Sequence, residues 1–137
     1  MVDAKKIVVS GIAAGVAILV ISMVVSYAFQ AIFSYDVLKL SGMRAVNDPI
    51  MVLFFLFPFV LAFAMAIVYS HVERSLKGNY IEKGKTFSLL MWLAYSVPSA
   101  FIVFSSMDYP IGFTVSSLVG GIIYMLAGGI IIAKLQE

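Results

Sequence analysis

The sequence has no cysteine, little charge and a single histidine. Without cysteine there is no disulfide framework, no thiolate nucleophile and no cysteine-held metal. Charged residues make up 12% of the 137 positions, about half the share usual in soluble domains. Nor do Asp, Glu, Lys or Arg occur in the central part of any long apolar run. Proton- or cation-coupled machinery in a membrane usually leaves such residues there, so this absence argues against it. One histidine, His71, with no second His or Cys is a poor metal or haem site and fits an ordinary polar residue at a helix end. No phosphate-binding loop or nucleic-acid pattern is present. Serines are many, but nucleophilic catalysis needs an activating base, and His71 lies at the opposite end of the spans from most of them. No cofactor is expected.

What the chain does have is apolar residues, 63% of the total, with a mean hydropathy of +1.08. About 20 such residues cross the roughly 30 Å hydrocarbon core as a helix. The runs at 6–33, 49–72, 86–106 and 113–134 each qualify. Continuous apolar runs exclude barrel strands, which alternate. The expected fold is an all-α integral membrane protein, one domain over 1–137, with four helices in an up-down antiparallel bundle. An outer loop spans 34–48, a second loop 73–85 and a short turn 107–112. Asp48-Pro49 reads as a cap and first helical residue, Gly78-Asn79 as a stop after span two, and Thr86 as the cap of span three. The short later connections make spans two and three, and three and four, antiparallel neighbours. The first loop mixes apolar and charged residues, a pattern suited to a short interfacial segment as well as to a plain loop.

The few cations are placed unevenly. Lys5, Lys6, Arg74, Lys77, Lys83, Lys85 and Lys134 fall at one set of span ends, and only Lys39 and Arg44 at the other. The positive-inside rule then puts both termini and the 73–85 loop in the cytoplasm of a multi-pass cell-membrane protein.

Within the spans, small and hydroxylated residues carry the information. Helices in lipid associate by close packing and hydrogen bonds, and small residues mark those faces. Gly11 and Gly15 in span one, and Gly121 and Gly128 in span four, are candidate packing positions, within the chain or between copies. In span three, Ser88, Trp92, Tyr95, Ser99, Ile102 and Ser106 share one helical face and are expected to point inward. Pro98 and Pro58 are expected to bend their helices. Ser22, Ser26, Tyr95, Ser99, Ser117 and Tyr124 are candidate polar contacts, or the lining of a cavity between spans one, three and four. At the outer end, Asp36, Lys39, Arg44, Asp48 and Asp108 form a second candidate site, with an Arg44 ion pair to Asp48 or Asp108 the expected arrangement. Two functions follow. The leading one is a non-enzymatic bundle working through helix packing, as an accessory subunit, assembly factor or homo-oligomer. The alternative is a binder, channel or transporter of a lipid-like or uncharged small molecule. Membrane lipid, a second copy or another membrane protein are the expected partners, and nucleic acid is not.

Overall fold

The computed structural model describes residues 3–137. Four helices, each long and apolar enough to cross a membrane, account for most of it: α1 (Ala4–Phe33), α2 (Met51–Val72), α3 (Tyr80–Ser106) and α4 (Ile111–Gln136). The described residues contain no strand.

Local chemistry sets the ends. The Asp3 carboxylate accepts from the Lys5 and Lys6 N–H groups and caps α1, while Ser34 closes it in the left-handed region at φ 54°. Asp48 accepts from the Ile50 N–H at 2.9 Å, so the turn containing Pro49 leads into α2 from Met51. The third helix begins at Tyr80, earlier than the expected start at Thr86. Asn79 and Glu82 form a reciprocal capping box, each side chain accepting from the other's backbone N–H at 3.0 Å. Lys83 and Lys85 therefore ride on the helix rather than in a loop. Residues Glu73–Ser75 form a 3₁₀ turn that ends α2.

Helix α3 changes character near its middle. Tyr80–Met91 is α-helical, Trp92–Ser96 is a π-helical turn, and Val97–Ser106 is α-helical again. The Val97 N–H reaches back to the Trp92 carbonyl. Pro98 explains the wide turn, because its ring would strike the carbonyl of residue 94 in a regular helix and it has no N–H to donate. The extra residue rotates the downstream face. Ser88, Trp92, Ser96 and Ala100 point inward, while Tyr95, Ser99, Ile102 and Ser106 are exposed, so the expected row holds only to Trp92.

The helices lie in the order α2, α1, α4, α3, with the most extensive pairings between α1 and α4, α1 and α2, and α3 and α4. Antiparallel neighbours result, as Gly11 under Phe63, Gly15 under Phe59 and Gly84 against Ile130 demonstrate. Spans two and three were expected to be neighbours but hardly touch. They meet edge-to-face at Tyr69 and Phe87, with ring centroids 5.2 Å apart, and again at Phe57 and Tyr95. No small-residue seam lies between them, whereas α1 turns its glycines to α2, and α4 turns glycines to both α1 and α3. The buried core gathers at the end that holds both termini: Ala14 and Ile18, then Leu61, Ala62, Met65, Ala66 and Tyr69, with Phe87, Met125, Ile132 and Ala133. We call this the closed end.

Candidate functional site

At the opposite, open end the packing parts. Gly11 and Gly15 let α2 approach α1 through Phe63 and Phe59, but α1 has no glycine from Val16 to Phe33. Bulkier side chains then hold the helices apart, and Val52–Phe57 of α2 are exposed. Pro58, inside α2, leaves the carbonyl four residues earlier without its usual helical partner. The result is a cavity of about 770 Å³ between α1, α2 and α4. Its size falls in the range of small-molecule sites, roughly 300–1,000 Å³.

The walls are mostly apolar. From α1 come Ile18, Leu19, Met23 and Val25, from α2 Phe54, Phe55, Phe57 and Pro58, and from α4 Phe113 and Gly120. Tyr35 to Leu38 of the first loop close the top. That loop is held by Gln30, whose Oε1 accepts from the Val37 N–H at 2.8 Å while its Nε2 donates to Ser26 Oγ at 2.9 Å. A short 3₁₀ turn, Val37–Lys39, follows, with Asp36 as its cap.

Polar groups are few and placed on the walls. Ser22, Ser26, Ser117 and Tyr124 all line the cavity. Ser22 donates to the Leu19 carbonyl at 3.0 Å and Ser117 to the Phe113 carbonyl at 2.9 Å. Their protons are thus spent on their own helices, and their lone pairs remain for a ligand. Ser116 lines the wall as well. Of the other two candidates, Tyr95 stands outside the lining, stacked on Phe57 with centroids 6.2 Å apart. Ser99 faces outward beyond the π-turn. The cavity thus uses span two rather than the expected span three.

The five outer-surface candidates do not converge. Arg44 pairs with Asp48 at 3.0 Å, and Lys39 lies 3.8 Å from Asp36. Asp108 is exposed and joins neither pair. Asp36 alone of the five lines the cavity.

The packing candidates lie between helices of this chain. Gly128 faces Ile18 and Ala14, and Gly121 faces Ser96 and Trp92. The α3–α4 seam also holds Ser88 Oγ, 2.8 Å from the Met125 carbonyl, and Trp92, whose Nε1–H donates to the Leu118 carbonyl at 2.8 Å. All eight helical glycines are buried.

Two contributors escaped sequence reasoning. Gln30 reads as a lone polar residue near a span end, yet it ties the loop over the cavity. Gln136 folds back into the closed end, where its Nε2 donates to Ser10 Oγ and to the Ala66 carbonyl, each at 3.0 Å. One side chain thereby joins α1, α2 and α4. The nearby Lys6 ammonium donates to the Gln136 and Glu137 carbonyls. His71 sits on an exposed face with Nδ1 2.8 Å from the Ile67 carbonyl. Among the described residues no group of three His, Asp or Glu converges on a point that would hold a metal.

Comparison with protein-family models, with curated proteins and with solved structures finds no match for this chain.

Proposed function

We propose that this is a multi-pass cell-membrane protein that binds a lipid-like or uncharged small molecule in the cavity between α1, α2 and α4. The cavity itself carries the reading: about 770 Å³, walled by aromatic and aliphatic side chains, with a few hydroxyls set at intervals. That is the make-up of a site for a largely apolar ligand oriented by a few polar contacts. The reading is of a binding protein rather than an enzyme.

The alternative, an accessory subunit or homo-oligomer joined through glycine faces, draws less support. It needs a small-residue face left free, and the helical glycines are covered by this chain's own side chains.

Seven Lys and Arg at the closed end, against two at the open end, support a cytoplasmic side for both termini and the 73–79 loop. The cavity then lies in the outer half of the membrane, under the first loop.

Native mass spectrometry of the protein released from lipid nanodiscs tests the binding claim. The wild type should retain one small lipophilic molecule. Ser117→Trp, which fills the cavity and breaks no bond between helices, should lose it while keeping its helical circular dichroism. A bare wild type, or a variant that retains the adduct, contradicts the reading.

A further inference from the structure

We infer that the cavity selects amphiphiles by head-group charge, taking a lipophilic cation in preference to an uncharged or anionic molecule of the same shape. This rests on the binding reading above and extends it to the ligand's polar end.

Two features on different elements point the same way. The first is the wall, in which Tyr27, Tyr35, Phe54, Phe55, Phe57, Phe113 and Tyr124 contribute seven aromatic rings. Ring faces attract ammonium and other cations, and the attraction grows as water is removed. The second is charge. Asp36 is the one ionisable acid on the lining, and no Lys, Arg or His lines it. An anionic head would meet Asp36 without a compensating cation, and the Ser22 and Ser117 hydroxyls offer it lone pairs rather than protons. A cationic head would meet a carboxylate at the loop and aromatic faces below it.

Lys39 is the competitor. Its ammonium lies 3.8 Å from Asp36 but is largely exposed, with 84% of its side chain accessible. Such a contact is weak and easily displaced. Asp36 also caps the 3₁₀ turn by accepting from the Leu38 N–H at 3.0 Å. Asparagine can make the same cap, so Asp36→Asn removes the charge and keeps the turn.

The test uses three photoreactive probes that share one diazirine-bearing alkyl chain and end in trimethylammonium, hydroxyl or carboxylate. Each is cross-linked to the full-length protein in nanodiscs. Labelling of cavity peptides is normalised to a peptide on the exposed Phe101–Phe104 face. The expected order is ammonium, hydroxyl, carboxylate, with ammonium labelling exceeding carboxylate labelling about fivefold or more. Asp36→Asn should shrink that ratio by at least about half, and Lys39→Gln should leave or raise it. Equal cavity labelling by all three probes overturns the charge selection and leaves the binding reading standing. An unchanged ratio in Asp36→Asn overturns the role of Asp36. No cavity labelling by any probe overturns both readings.

Discussion

Gly84 and Gly128 look interchangeable in sequence, both small residues inside apolar helices, but alanine is predicted to be costly at the first and nearly neutral at the second. A methyl group on Gly84 would lie 2.7 Å from Ile130 Cα and 3.0 Å from Ile130 N. Carbon atoms pack best at about 3.5–4.0 Å, and these belong to the backbone of α4, which cannot step aside. Helix α3 would have to retreat by on the order of 1 Å. A gap of that size forfeits about a quarter to a half of each contact's attraction along the seam. It also stretches the Ser88–Met125 and Trp92–Leu118 hydrogen bonds, each now 2.8 Å long. Overpacking against backbone falls in the upper part of the usual range, about 2–3 kcal/mol, offset by about 1 kcal/mol of improved helix propensity. The net expectation for Gly84→Ala is a loss of about 1–2 kcal/mol. At Gly128 the new methyl meets the far end of Ile18, with Cδ1 at 2.7 Å and Cγ1 at 3.0 Å. These atoms are the far end of a side chain at the cavity's edge rather than backbone, so a small rotation relieves the contact. The strain and the propensity gain then nearly cancel, and Gly128→Ala should lie within about 0.5 kcal/mol of wild type. Steric-trap unfolding in bicelles measures both on one scale. Equal costs at the two sites, or a Gly84→Ala protein as stable as wild type, would refute the close backbone approach of α3 and α4.

Gln136→Leu should destabilise the closed end by about 1–2 kcal/mol in the same assay, because hydrogen bonds between membrane helices are worth about 0.6 kcal/mol on average and this side chain makes two. A variant equal to wild type would show that the three-helix tie contributes nothing. The natural absence of cysteine makes topology simple to measure. In intact cells, Ser41→Cys should react with an impermeant maleimide and Ser75→Cys should not; the reverse pattern would invert the orientation.

The four helices were legible because membrane-length apolar runs leave few alternatives in an apolar solvent. What the sequence hid was phase and spacing. The Ser88-Trp92-Tyr95-Ser99 row assumed a regular helix, and the π-turn before Pro98 brings Ser96 and Ala100 inward instead. Proline marked the spot but not the form the distortion would take. The Asn79–Glu82 capping box was readable from residue types alone, but the neighbouring Lys83 and Lys85 made the segment look like loop. Starting span three at Thr86 also concealed the small pair Gly84 and Ser88, spaced four apart, which lies on the α3–α4 seam. The cavity depends on a difference along α1, glycines in its first half and none after Gly15, and such a wedge is visible only once the partner helix is known. Ser22, Ser26, Ser117 and Tyr124 stood out as candidates because hydroxyls in lipid-length helices are conspicuous, whereas Gln30 and Gln136 near helix ends resembled ordinary solvated residues.

A crystal structure grown from a lipidic mesophase, at a resolution that reveals single acyl chains, tests the binding account most directly. Elongated density between α1, α2 and α4, running from Asp36 past Ser117 toward Tyr124, is the predicted result. The account is contradicted if Phe54, Phe55 and Phe57 fill that space and α2 lies against α1 along its whole length.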